Sequence, residues 1–127
     1  MLHDLLSHYL QEIDAETRKI EGVYIELYEE EFLTPNRINL RFRIRFETGH
    51  LFELNEAVIV KNDQLEHLNY RYHFQDKQNN LVFRYDNTPH FPDLDNFPHH
   101  KHLSDSIVSS QEPSVLRVIE EAVQLAK

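Results

Sequence analysis

The histidines of this chain are concentrated in one short segment. Four of its nine histidines fall within thirteen residues, namely His90, His99, His100 and His102. An imidazole exchanges protons near neutral pH, so it can act as a general acid or base, and its neutral form is a common metal ligand. Prolines interrupt the segment at Pro89, Pro92 and Pro98, which favours a long loop, and loops of that length are often functional.

Three kinds of role fit such a group. Two imidazoles can act as base and acid in the cleavage of an RNA phosphodiester, with arginine stabilising the charge of the phosphorane. Alternatively, His100 and His102, which share a face if the segment is extended, can bind zinc or a similar ion with His90 or Asp93 as the third ligand. In the third role the histidines only cap turns and hydrogen-bond to loop carbonyls.

Composition narrows the classes of protein that need to be considered. The chain has no cysteine, so disulfides and thiolate chemistry are excluded and any metal would need imidazole or oxygen ligands. Its net charge of -9 argues against a protein that coats nucleic acid non-specifically, although a locally basic site is compatible with it. No apolar run approaches the length of a membrane span, and Asp4 lies where a signal peptide would carry basic residues. We expect a cytoplasmic protein with no membrane partner.

Two amphipathic helices are indicated, one near each end of the chain. Apolar residues recur at helical spacing from Leu2 to Ile13, and again from Ser114 to Ala126 after Pro113. Between the helices the apolar period changes to two, which indicates strands. Five strands are predicted, at Glu21–Phe32, Arg37–Glu47, Leu51–Val60, Leu65–Gln75 and Leu81–Asp86.

The alternation also limits how the first strands pair. Apolar residues face apolar residues if the numbers of paired residues sum to 69 or to 71. The second sum places Ile25 beside Phe46 and Glu26 opposite Arg45, which gives the arginines glutamate partners. A three-residue loop in the next hairpin would pair Phe52 with Phe46.

The last two strands give the first indication of a site. If Tyr72 lies beside Phe83, then Arg71 lies opposite Arg84. Two like charges facing each other destabilise a sheet unless an anion or a carboxylate lies between them. We therefore expect an anion site on the polar face of these strands.

The predicted fold class is α+β, in a single domain over residues 1–127. It comprises an antiparallel sheet of about five strands, with the N-terminal and C-terminal helices packed on one face and a long histidine-rich loop after the last strand. That loop leaves the strand that carries Arg84 and Asp86. It could fold over the polar face and bring its histidines to the arginines.

Three stretches of sequence resemble the linked motifs of the TumE-like family of toxin proteins. They are YRYHFQD at Tyr70–Asp76, LVFRYDNTPH at Leu81–His90 and FPHHKH at Phe97–His102. The resemblance implies the toxin of a toxin-antitoxin module that is held inactive by a cognate antitoxin, typically a helix-turn-helix DNA-binding protein. The positions that match the motifs are Arg71, His73, Arg84, Tyr85, Asp86, Asn87, His90, His99, His100, Lys101 and His102.

Together these observations predict a toxin that acts on RNA through a histidine and arginine anion site, as a metal-independent endoribonuclease without a cofactor. The predicted acids and bases are His73, His99, His100 and His102. The predicted substrate-binding residues are Arg71, Arg84, Asp86, His90 and Lys101. A non-enzymatic interaction module and a histidine-based metal-binding protein are the alternatives. Exposed strand edges could pair two copies into a homodimer.

Overall fold

The computed structural model describes all 127 residues and has one antiparallel sheet with a helix at each end of the chain. The strands lie in the sheet in chain order, so each strand pairs with the next one. The elements are α1 (Asp4–Arg18), β1 (Val23–Thr34), β2 (Arg37–Phe46), β3 (Leu51–Lys61), β4 (Gln64–Gln75), β5 (Leu81–Asp86), β6 (His100–His102), β7 (Ile107–Ser109) and α2 (Val115–Leu125). Neither helix combines the length and the apolar composition that crossing a bilayer requires.

The predicted α+β class and its two flanking helices are confirmed, but the prediction of about five strands is wrong. The sheet has seven strands, and the two extra ones lie in the segment that was predicted to be a loop. β6 and β7 have three residues each, which is too short for an apolar period to be visible in the sequence. They are ordered as strands by pairing with β5 and with each other.

One face of the sheet and both helices form the hydrophobic core. Alternate residues of the central strands are buried on this face, and α1 and α2 contribute to the same cluster of 21 residues. Buried members include Leu6 of α1, Phe42 of β2, Phe52 of β3, Phe74 of β4 and Ile119 of α2. The opposite face of the sheet carries the polar residues of the same strands, and we call it the polar face.

The predicted register of the first hairpin is wrong over most of its length. Val23 pairs with Phe46 and Ile25 with Ile44, which is the alternative sum of 69, and register shifts follow beyond Ile25 and beyond Phe32. Each bulge adds one unpaired residue, so no single sum describes this hairpin. The predicted contact of Glu26 with Arg45 is nevertheless present, at 3.0 Å between Oε2 and Nε.

The other two predicted registers are displaced by two residues. Phe52 pairs with Ile44 rather than Phe46, and Tyr72 pairs with Tyr85 rather than Phe83. A shift of two residues leaves every side chain on the same face, so the apolar alternation could not distinguish these registers. The observed register of β4 and β5 places Arg71 opposite Asp86 and His73 opposite Arg84. The predicted facing pair of Arg71 and Arg84 is therefore wrong.

Candidate functional site

Two rows of polar residues cross the polar face of the sheet side by side. The pairing of strands β2 to β6 aligns them, one residue from each strand. The first row is Arg43, Glu53, His73, Arg84 and His102, and the second is Arg41, Asn55, Arg71, Asp86 and His100. At the β5–β6 end, these rows bring histidines, arginines and a carboxylate together.

The carboxylate of Asp86 lies between two imidazoles. Its Oδ1 atom is 2.8 Å from Nε2 of His100, and its Oδ2 atom is 3.4 Å from Nε2 of His102. Asp86 and His100 are buried and His102 is half-buried. We call these three residues the Asp86 cluster. Its position follows from the register, because His100 is the direct partner of Asp86 across β5 and β6.

The ring of His100 is held in one orientation by the chain that precedes it. Its Nδ1 atom is 2.9 Å from the carbonyl oxygen of Pro98, and a carbonyl can only accept, so Nδ1 carries a proton. The other nitrogen, Nε2, is buried and has no hydrogen-bond partner. Although Nε2 lies close to Oδ1 of Asp86, the geometry of that contact is not that of a hydrogen bond.

The segment between β5 and β6 folds over the Asp86 cluster. The ring of Phe91 packs edge-on against His100 and His102, with centroids 5.1 Å and 6.0 Å apart. Thr88 is tied to Asp86, because its backbone N–H donates to Oδ1 of that carboxylate at 3.0 Å. An aromatic ring thus covers the cluster on one side, and Arg71 and Arg84 are its neighbours in the sheet.

Burial favours the neutral form of the His102 imidazole by lowering its pKa. Burial lowers its pKa, Asp86 opposes that shift, and the nearby His100 and Arg84 add to it. The net effect is a pKa below the ordinary value for histidine. A neutral imidazole that is accessible to solvent can accept a proton or bind a metal ion.

Arg71 and Arg84, the two arginines beside the cluster, make no ion pair with a carboxylate. The arginines that make ion pairs are Arg18, Arg43 and Arg45. Burial, followed by repulsion from Arg71, lowers the pKa of Arg84, while Asp86 and Glu53 oppose the shift. Two neighbouring guanidinium groups without an ion-pair partner attract an anion, and guanidinium matches the geometry of phosphate.

His73 positions Arg84. Nε of Arg84 donates to Nδ1 of His73 at 3.2 Å, so that nitrogen is the acceptor and the proton of the ring is on Nε2. Nε2 in turn donates to Oε1 of Gln75 at 2.8 Å. Burial is the main cause of the lowered pKa of His73, and Arg84 and Arg71 lower it further. Its lone pair is occupied by Arg84, so His73 holds the guanidinium in place.

The structure brings together six of the nine predicted site residues and separates the other three. Lys101 lies on the helix side of β6, where its Nζ atom donates to Glu121 at 2.8 Å over the ring of Tyr85. His99 is also on that side, 2.8 Å from the hydroxyl of Tyr70. His90 is exposed beside Phe91. The residues that are brought together are Arg71, His73, Arg84, Asp86, His100 and His102.

A second polar cluster, which the sequence analysis missed, lies in the core under α1. The carboxylate of Glu56 is fully buried and accepts hydrogen bonds from Tyr9 at 2.5 Å and from Tyr72 at 2.8 Å. Nε2 of His67 lies 3.0 Å from the same carboxylate. The signal in the sequence was Glu56 itself, because it occupies an apolar position of β3 between Leu54 and Val58.

Comparison with known proteins gives one match. A family model described as Toxin TumE matches residues 10–126, which include the whole sheet and α2. No curated protein and no solved structure matches the chain.

Proposed function

The chain belongs to the TumE toxin family, and on that premise we propose that it is a toxin that cleaves RNA on the polar face of its sheet. A toxin of this kind implies a module with a cognate antitoxin that holds it inactive. The resemblance of its motifs to the family favours a helix-turn-helix protein as that antitoxin. We propose both the molecule that the toxin cleaves and the residues that bind and cleave it.

The observation that carries the proposal is that Arg71 and Arg84, which make no ion pair, lie beside the Asp86 cluster. Arg71 lies directly opposite Asp86, and Arg84 lies directly opposite His102. A phosphodiester that binds to the two guanidinium groups is therefore adjacent to groups that exchange protons or bind a metal ion. This combination is what phosphodiester cleavage requires.

RNA is the favoured substrate because it carries its own nucleophile. The 2′-hydroxyl of the ribose loses its proton to a group at the Asp86 cluster, and its oxygen forms a bond to phosphorus. The bond from phosphorus to the 5′-oxygen then breaks, and that oxygen takes up a proton. Arg71 and Arg84 stabilise the extra negative charge of the phosphorane between these two steps.

The charge distribution of the chain is compatible with this site despite its net charge of -9. On the polar face, Glu53 is paired with Arg43 and Glu26 with Arg45, so these carboxylates do not compete for Arg71 and Arg84. Electrostatic attraction acts over about 8 Å at physiological ionic strength, so the local arginines dominate at the site.

The proposal is tested by inducing the protein in a bacterial host and mapping new RNA ends by sequencing. We expect growth arrest together with new 5′-hydroxyl ends in wild type, and neither in the double variant Arg71→Gln, Arg84→Gln. Arg117→Gln is the matched control, because Arg117 is an exposed arginine on α2 and lies on the helix side. Growth arrest without new RNA ends would mean that the toxin has another target.

A further inference from the structure

The Asp86 cluster has the donor atoms and the arrangement of a metal site. We propose that Asp86, His100 and His102 bind one divalent transition-metal ion of the Zn²⁺ or Mn²⁺ type. The binding itself is independent of the substrate. The role of the ion in catalysis, described below, rests on the proposed function.

The strongest argument is the state of His100. With its proton on Nδ1, held by Pro98, a neutral His100 presents a lone pair on Nε2. That lone pair is buried, has no partner, and lies 2.8 Å from a carboxylate oxygen that is also an acceptor. Two acceptors at this distance repel each other unless a cation lies between or beside them. A metal ion satisfies both atoms at once.

The distances within the cluster suit a single ion. The ligand atoms of the three residues all lie within 4.8 Å of one another. Two ligands at about 2.1 Å from a metal are about 3.0 Å apart at a right angle and about 3.4 Å apart at a tetrahedral angle. In Asp86, Oδ1 lies 2.8 Å from Nε2 of His100 and Oδ2 lies 3.4 Å from Nε2 of His102. Small movements of the side chains would therefore complete the site.

The surroundings of the cluster match those of known metal sites. A metal-binding histidine usually donates its second N–H to a carbonyl or a carboxylate, which is the contact that His100 makes with Pro98. Two imidazoles and one carboxylate favour zinc, manganese, iron or nickel over magnesium and calcium, which prefer oxygen ligands. Phe91 limits the access of water on one side. The third ligand is thus Asp86, a neighbour through strand pairing, rather than His90 or Asp93, which are closer to His100 in the sequence.

A purely structural ion pair is the competing explanation. It requires His100 to be doubly protonated and to donate from Nε2 to Asp86, but that contact does not have hydrogen-bond geometry.

The charges around the cluster are Arg71 opposite Asp86 and Arg84 opposite His102. They weaken the binding of a cation in the free protein. A phosphate on the arginines offsets this repulsion, so metal and phosphate should strengthen each other's binding.

The ion would supply the proton acceptor of the proposed reaction. A bound zinc ion would lower the pKa of a coordinated water to about 7, which would make a proton acceptor available at neutral pH. Held by Asp86, His100 and His102 beside the phosphate, the ion would supply the acceptor for the proton that the 2′-hydroxyl loses. His100 and His102 then act as ligands, and the arginines bind the phosphate.

The test is calorimetric titration of untagged, chelator-treated protein with ZnCl₂ and with MnCl₂. We expect one ion per chain in wild type, unchanged binding in His8→Gln, and affinity reduced at least about tenfold in His102→Gln, which loses a ligand. His8 is the control because it is exposed on α1 and pairs only with Glu12. Equal affinity in all three proteins, or no binding of either metal to wild type, would overturn the proposal.

A second measurement requires no variant and so does not depend on the folding of one. In the NMR spectrum of wild-type histidine side chains, Zn²⁺ should shift the signals of His100 and His102 and leave those of His8 and His90 in place. Shifts of His8 or His90 alone would contradict the assigned site. If metal binds as expected but RNA remains intact, the metal site stands and the proposed function fails. If RNA is cleaved at the full rate in EDTA and no metal binds, the proposed function stands and the metal site fails.

Discussion

Asp86 and His100 face each other directly across β5 and β6, with Oδ1 of one 2.8 Å from Nε2 of the other. They are fourteen positions apart in the sequence, and a three-residue strand is what brings them together. The pairing of β6 also sets His102 opposite Arg84 and directs Lys101 to the helix side. The register of this one short strand thus determines which residues of the histidine-rich segment belong to the candidate site.

Replacing Arg71 by glutamine should weaken the binding of RNA. Arg71 is exposed and has no carboxylate partner, so the change removes one interaction with phosphate and has little effect on folding. We expect affinity to fall by about 1–3 kcal/mol, as is usual for a charged hydrogen bond. The slope of log affinity against log salt should decrease by about one, because one fewer phosphate is neutralised. Anisotropy with a 2′-O-methyl oligonucleotide, which lacks the free 2′-hydroxyl, measures both quantities.

Arg117→Gln again serves as the control for that experiment, since it removes the same charge from the helix side. Equal reductions of affinity in Arg71→Gln and Arg117→Gln would indicate a general effect of net charge. The assignment of phosphate binding to the polar face would then be wrong.

Replacing Tyr72 by phenylalanine should destabilise the fold. The hydroxyl of Tyr72 donates to the fully buried carboxylate of Glu56, and a buried charge that loses a donor costs about 1–3 kcal/mol or more. Tyr28→Phe is the matched control, because its hydroxyl donates to the exposed Glu30. Urea unfolding should show a clear loss of stability for Tyr72→Phe and less than about 0.5 kcal/mol for Tyr28→Phe. Similar values for both variants would show that Glu56 does not depend on this donor.

His67 should make stability depend on pH above neutrality. Burial alone would lower its pKa, but its contacts with Glu56, and then the charge of Glu112, raise the pKa above the ordinary value. A raised pKa in the folded state stabilises the protein fully below the unfolded value of about 6.5, and this contribution is lost as the pH rises through the folded value.

The measurement is the free energy of unfolding of wild type and of His67→Gln at several pH values from 6 to 9. We expect the stability of wild type to decline relative to the variant as the pH rises above 6.5. The lowered pKa values of His73 and His102 act in the opposite direction and only below that pH, so they do not obscure the effect. A constant difference between the two proteins would contradict the role of His67.

The sequence predicts the helices and the longer strands of this fold better than it predicts the register in which the strands pair. Apolar periods identified both helices and the five longer strands, because those patterns extend over many residues. They do not distinguish registers two residues apart, so they predict Arg71 opposite Arg84, whereas the structure pairs Arg71 with Asp86. Pairing along the chain was also needed to recognise β6, whose three residues carry no period.

The lack of information on strand pairing also limits which residues of the candidate site the sequence predicts. Histidine clustering and the family motifs pointed to the residues that the structure brings together, including Arg84, Asp86 and His102. His99 and Lys101 were grouped with them because they are adjacent in the sequence, but alternation along this extended stretch directs them to the other side of the sheet. In each case strand pairing, rather than adjacency in the sequence, determines which residues lie at the candidate site.

Replacing Phe91 by alanine should expose the Asp86 cluster. The ring contacts both histidines, so its removal opens the covered side and loosens the segment between β5 and β6. We expect faster amide hydrogen exchange in residues 87–99 and a lower rate of RNA cleavage, while the core strands remain protected. Phe91→Leu should restore part of both properties. Unchanged exchange in Phe91→Ala would show that the ring does not hold this segment.

Cleavage of RNA on the polar face is tested by the rate at which purified, untagged protein cleaves a defined RNA oligonucleotide. We predict that His102→Gln lowers the rate by about 10²–10⁴-fold and that His8→Gln leaves it unchanged. A single 2′-deoxy substitution at the cleaved position should stop the reaction. If a folded His102→Gln protein cleaves RNA at the wild-type rate, the assignment of the site is wrong. If RNA stays intact with wild type supplied with Zn²⁺ or Mn²⁺, the protein is not a ribonuclease.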